Sequence, residues 1–106
     1  MRRRLDRGHF PLGARLDLHG LTQEAAHAAL TRFLPRAAEA GHRCVLVITG
    51  RGERSGGILR TAVPRWLAEP PLAEKVLGWA EAGRSHGGRG ALYVLLRRSD
   101  SSREKR

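Results

Sequence analysis

Between Arg43 and Thr49 the chain runs Cys44-Val45-Leu46-Val47-Ile48, an apolar stretch with no polar interruption. It has strand length, and a continuous rather than alternating apolar run is the pattern of a strand covered on both faces. Any fold for this chain must therefore place material on two sides of that strand. Two segments with helical spacing can supply it. Thr22 offers an N-cap to a stripe of Ala25, Ala26, Ala29, Leu30, Phe33, Leu34, Ala37 and Ala38, which Gly41 ends. Ile58, Leu59, Ala62, Val63, Trp66 and Leu67 make a second stripe. Pro35 is expected to kink the first helix and Pro64 weakens the second, since proline removes a backbone donor and crowds the turn before it.

Three shorter stretches read as further strands, at residues 14–18, 76–80 and 91–96. The resulting order is strand, helix, strand, helix, strand, strand. Strand-helix-strand units favour parallel neighbours, and the short last connection suits an antiparallel hairpin. With the first three strands parallel, His19-Gly20, the loop from Thr49 to Gly57 and the loop from Gly83 to Gly90 all emerge at carboxyl ends and converge on one edge of the sheet. Trp66 and Trp79 read as core residues. Tyr93 is expected to face opposite to Leu92 and Val94.

The 106 residues are sufficient for one domain with a modest core. Residues 1–13, broken by Gly8, Pro11 and Gly13, read as a basic arm, residues 14–97 as the folded body, and residues 98–106 as a basic tail. Cys44 is the single cysteine, which forbids a disulfide within one chain and suggests a reducing, cytoplasmic setting. No apolar run approaches the roughly 20 residues of a membrane helix, so a soluble protein without a membrane partner, most simply a monomer, is expected. Twenty Lys and Arg against ten Asp and Glu give a formal charge of +10. Much of it is on the tails, but Arg51, Arg54, Arg60, Arg65, Arg84 and Arg89 cluster around the glycine-rich segments, where a positive field attracts a polyanion.

Leu16-Asp17-Leu18-His19-Gly20 carries the clearest chemistry. Two residues apart on a strand, Asp17 and His19 leave one face while Leu16 and Leu18 leave the other, and a core strand has no packing reason for that pair. Breaking a phosphodiester needs an activated oxygen nucleophile, positive charge on the nonbridging oxygens and a proton for the leaving group. An imidazole exchanges protons near neutral pH, and Asp17 is placed to orient that of His19. Arg51, between Gly50 and Gly52, is a candidate phosphate clamp, and His86 a candidate second proton-transfer group. His27 and His42 are expected at the surface.

These segments resemble the Smr (small MutS-related) domain family. The resemblance runs over Leu16-Asp17-Leu18-His19-Gly20, Val47-Ile48-Thr49-Gly50-Arg51-Gly52, Gly57-Ile58-Leu59-Arg60 and His86-Gly87-Gly88-Arg89-Gly90-Ala91-Leu92-Tyr93-Val94. It covers about residues 16–97 and is more similar to a stand-alone member than to a MutS2 fusion. It implies an α/β two-layer sandwich, a four-stranded mixed sheet with two helices in the order β-α-β-α-β-β, similar to the carboxyl-terminal domain of translation initiation factor 3. It also implies nucleic-acid binding and nicking or RNA-cleaving endonuclease activity.

Carried over, the catalytic candidates are Asp17, His19 and His86, and the phosphate-binding candidates Thr49, Gly50, Arg51, Gly52, Arg54, Arg60, Arg84 and Arg89. Some family members have histidine where this chain has Thr49. With RNA the internal 2′-hydroxyl can attack without a metal. With DNA a water must be activated, and one carboxylate with two histidines is a thin site for magnesium or manganese. Two other readings stand beside this one: a noncatalytic DNA- or RNA-binding module, and a small-molecule phosphoesterase, which suits such diffuse positive charge less well.

Overall fold

The computed structural model describes residues 12–50 and 55–98. The alternating exposure of Ala14, Arg15, Leu16 and Asp17 marks β1 (Ala14–Asp17) as a strand with one face towards the core. Thr22 then starts α1 (Gln23–Glu39), its hydroxyl accepting from the Ala25 N–H at 3.1 Å. Ala26, Leu30, Leu34, Ala37 and Ala38 form the buried stripe of α1. Gly41 turns the chain out of the helix at φ +92°, a value that favours glycine. β2 (Cys44–Ile48) follows, then α2 (Ser55–Leu67), β3 (Val76–Glu81) and β4 (Ala91–Leu96). Both helices continue through their prolines, Pro35 and Pro64. Buried residues flank each proline, Leu34 and Ala37 in α1 and Val63 and Trp66 in α2, so core packing outweighs the lost donor.

The sheet order is β1-β2-β4-β3. β1 pairs parallel with β2, and β4 lies antiparallel to both β2 and β3. The first three strands thus run in one direction, as expected, and β3 with β4 is the expected antiparallel pair. The simple strand-helix-strand rule fails at one point, because β2 and β3 are not neighbours: β4 inserts between them. Burial explains the choice. Ala91, Leu92, Val94 and Leu96 are all buried, whereas β3 is largely exposed and suits an edge.

The strand register sorts side chains onto two faces. Leu16, Val45, Val47, Leu92, Val94 and Leu96 share one face with the helix stripes in the main core. A 3-10 turn, Leu72–Lys75, not anticipated from the sequence, adds Leu72 to that core. Among the described residues the opposite face has no α-helix. There Leu46, Ala82 and Ala91 are buried beneath Leu12, Ile48 and Tyr93. β2 is therefore covered on both sides, by helices on one and by a small satellite cluster on the other. The Gly13 N–H donates to the Cys44 carbonyl at 2.9 Å, extending the β1–β2 ladder into the segment read as an arm.

The two tryptophans part company. Trp66 is buried and packs edge-on against His27, with ring centroids 4.7 Å apart. Trp79, expected in the core, is instead 40% exposed. It lies on the outermost strand, whose pairing is interrupted by a register shift between Val76 and Gly78, and Leu77 there is exposed as well. Among the described residues no helix is long and apolar enough to cross a membrane.

Candidate functional site

The carboxyl end of β1 holds the first part of the site. Leu18 is buried and its N–H donates to the Ile48 carbonyl at 2.7 Å, which anchors the two residues on either side of it. Asp17 and His19 both remain exposed. Asp17 Oδ1 accepts the His19 backbone N–H at 3.0 Å and lies 2.9 Å from the ring Nδ1. The hydrogen bond from the His19 side chain holds the Asp17 carboxyl below its ordinary value; partial desolvation opposes this, while the His19 N–H and the charges of His19 and Arg15 add to it. An ionised carboxylate only accepts hydrogen bonds, so the His19 Nδ1 carries the proton and Nε2 is the ring nitrogen left for other partners.

The second part lies across the sheet. Tyr93 is opposite Leu46 in the β2–β4 register and so shares the helix-free face with Asp17, which is opposite Ile48. The Tyr93 hydroxyl oxygen accepts the Gly83 N–H at 3.1 Å and lies 2.6 Å from His86 Nδ1. Tyr93 belongs to the site although it was not among the sequence candidates. Its signal was the alternation that set it opposite Leu92 and Val94; its partner could not be read because residues 84–90 form two 3-10 turns around Gly87, at φ +112°. β1 and β4 are separated only by β2, so Asp17 and Tyr93, the partners of the two imidazoles, lie on strands two spacings apart, about 10 Å.

Arg84 and Arg89 are exposed and line an open cleft of about 500 Å³ with Glu81, Ala82, Gly87 and Gly88. Thr49 corrects an expectation. It is 1% exposed, and its hydroxyl donates to the Gly50 and Gly90 carbonyls at 3.1 and 3.3 Å. Its side chain is a brace between two loops rather than a phosphate contact. The Thr49 and Gly50 N–H groups also point to the Gly90 carbonyl, at 2.8 and 3.0 Å, so the Gly50 amide is engaged within the fold. Arg60 is on the second turn of α2, in the helix layer, and is half-buried. Arg51, Gly52 and Arg54 lie outside the described residues, as do most of the arm and tail.

Among the described residues no three His, Cys, Asp or Glu side chains come together as a metal site. Asp17 is the carboxylate beside His19, and one of its oxygens is already committed to that residue. Among the described residues this donor set does not fit a protein-held magnesium or manganese ion.

Residues 16–97 match the Smr domain family. The chain belongs to that family. Its matched span holds the Asp17–His19 pair, the loop brace at Thr49, and the His86–Tyr93 pair. The fold of this Smr domain is similar to that of YdaL, a stand-alone small MutS-related protein from Escherichia coli, with a TM-score of 0.77 and 34% identity over 92% of this chain and 74% of that one. It is also similar to the Smr domain of Thermus thermophilus MutS2, with a TM-score of 0.70 and 30% identity over 79% of this chain and 98% of that one. Among curated relatives, the ribosome rescue factor SmrB of Haemophilus ducreyi is 35% identical over 93% of this chain and 52% of its own length. The SmrB of Vibrio vulnificus is 37% identical over 89% and 50% respectively. The chain thus spans about half the length of the curated relatives it matches.

Proposed function

We propose that this Smr domain binds nucleic acid across the carboxyl end of its helix-free sheet face and cuts the phosphodiester backbone there. The observation that carries the reading is a pair of imidazoles each held by a hydrogen bond, His19 by Asp17 at the end of β1 and His86 by Tyr93 on β4, with Arg84 and Arg89 of the His86 loop lining an open cleft. A binding module needs the arginines but has no use for a histidine whose ring is fixed by a carboxylate.

RNA is the favoured substrate. A 2′-hydroxyl supplies its own nucleophile, which suits a site whose described donors do not fit a divalent ion, and several relatives are named ribosome rescue factors. In the reaction His19 Nε2 takes the proton of the 2′-hydroxyl as its oxygen bonds to phosphorus, and Asp17 stabilises the imidazolium that forms. The bond from phosphorus to the 5′-oxygen breaks, and the leaving oxygen collects a proton from His86 or from water. Arg84 and Arg89 offset the charge on the nonbridging oxygens. The basic segments 1–13 and 98–106 add sequence-independent attraction to the backbone. The setting is the cytoplasm, and the acting unit a monomer.

The test is cleavage of end-labelled single-stranded RNA, duplex DNA and branched DNA by wild type and His19→Ala, with magnesium and with chelator, alongside binding at the same salt. RNA cut by wild type in chelator, and left intact by a variant that still binds it, is the expected outcome. Equal binding with no cutting in any lane replaces this reading with the noncatalytic module.

A further inference from the structure

The two imidazoles are held by partners of opposite hydrogen-bonding character. Asp17 can only accept, so it keeps a proton on His19 Nδ1 and leaves Nε2 bare when the ring is neutral. Tyr93 differs. A phenol has one hydrogen to donate, and its oxygen here already accepts the Gly83 N–H at 3.1 Å. Accepting that bond polarises the hydroxyl and strengthens it as a donor. His86 Nδ1 lies 2.6 Å away, and among the described residues no other acceptor bonds the Tyr93 hydroxyl. Donation from Tyr93 to Nδ1 uses every partner present.

We infer that Tyr93 is a positioning residue that keeps the His86 proton on Nε2, so that His86 presents an N–H to the phosphate while His19 presents a lone pair. This rests on the reading of the open face as the nucleic-acid surface, and it divides the labour there. His19 is the proton acceptor. His86 is a hydrogen-bond donor in both of its protonation states, because Nε2 carries a hydrogen whether the ring is neutral or cationic, and it gives up a proton to the leaving oxygen only from the cationic form. Gly83 sets the arrangement through its backbone: a Cβ at that position would stand 3.3 Å from the Tyr93 oxygen, so even alanine crowds the hydroxyl it supports.

Two-bond proton–nitrogen NMR on the uniformly ¹⁵N-labelled full chain, at a pH where the rings are neutral, reads each tautomer directly. His19→Gln and His86→Gln assign the signals. The expected pattern is protonated Nδ1 for His19 and protonated Nε2 for His86. In Tyr93→Phe, which keeps the ring and loses the hydroxyl, the His86 pattern drifts to a mixture while the backbone spectrum stays dispersed and His19 is unchanged. Gly83→Ala gives the same drift in milder form. On titration with a short single-stranded RNA, His86 Nε2 shifts in wild type, and Tyr93→Phe weakens binding about twofold, the loss expected when about half of the rings carry the proton on the wrong nitrogen.

A wild-type His86 with its proton on Nδ1, or a His86 pattern indifferent to Tyr93→Phe, overturns the inference whatever the cleavage lanes contain. The expected tautomers in a wild type that cuts nothing uphold the Tyr93 assignment and remove only the endonuclease reading. Failure of the one is thus distinguishable from failure of the other.

Discussion

On its helix side the sheet shows α1 and α2 a surface of half-buried Leu16 and buried Val45, Val47, Leu92, Val94 and Leu96, while its strands turn Arg15, Asp17 and Tyr93 to the other side, where no α-helix lies among the described residues. Strand alternation makes this division possible, because successive side chains leave opposite faces of one backbone. The lesson is that stability and chemistry can be changed separately in this molecule. A substitution on the helix side removes buried area and costs folding energy. One on the open side removes a polar group that was never fully taken from water, and its cost falls on activity.

The sharpest test of that separation is His19→Ala. Losing a positioned proton acceptor lowers cleavage about 100-fold to 10,000-fold. Because His19 is 67% exposed, the melting temperature should hold to within a few degrees. A large loss of stability in this variant would break the comparison by making the open face part of the core. Next in size is the tryptophan pair. Trp66→Ala should cost about 3–5 kcal/mol in denaturant unfolding, the usual penalty for deleting a buried aromatic, whereas Trp79→Ala should cost less than about 1 kcal/mol. Equal penalties would mean that the exposed edge strand is covered in solution.

Arg84→Ala and Arg89→Ala sharpen the comparison on the binding side. Each phosphate contact removed from a single strand should reduce the slope of log affinity against log salt by about 0.7, with no change in unfolding midpoint. A salt slope unchanged in both variants places the backbone contacts elsewhere. Cys44 marks the limit of the contrast without nucleic acid, because alternation places it with Leu46 on the helix-free face and yet it is buried. Burial pushes its thiol up to about 11, so a thiol reagent at pH 8 should label the native protein slowly and the urea-unfolded chain quickly.

How much of this was legible in the sequence follows from the range of the interactions involved. The elements were, because the spacing of Leu30, Leu34 and Ala37, the Thr22 cap and the run from Cys44 to Ile48 are local signals. The convergence of three loops on one edge followed from strand direction alone. The insertion of β4 between β2 and β3 did not, since it depends on comparing the burial of two strands over the whole sheet. Trp79 was misplaced for the same reason: its side chain suits a core, and only the edge position of β3 leaves it exposed. In the site, Asp17 and His19 were readable because two residues separate them. The Thr49 brace was not, because its hydroxyl bonds a carbonyl 41 residues away. Tyr93 escaped because its role is fixed by an irregular turn rather than by a period.

The smallest expected effect is the pH dependence of Asp17, and it bears on whether the open-face pair has any part in folding. The His19 hydrogen bond holds the folded-state carboxyl below its ordinary value, which is near 3.9 in an unfolded chain. A depressed value means that the folded state prefers the ionised form. The stabilisation is therefore fully present above the unfolded value and is lost as pH falls through the folded one. Asp17→Asn should accordingly be slightly less stable than wild type at pH 6, with the gap closing below about pH 4. Half the Asp17 side chain is exposed, so solvent screening keeps the gap to a few tenths of a kcal/mol, about the scale of an exposed ion pair. Chemical unfolding at pH 6 and pH 3 measures it. Val94→Ala, on the helix side, is the control, because a packing defect has no titrating group and keeps its penalty at both pH values. A gap for Asp17→Asn that rivals that of Val94→Ala, or that persists at pH 3, would show the open-face pair contributing through packing rather than through charge, and the separation of the two faces would fail.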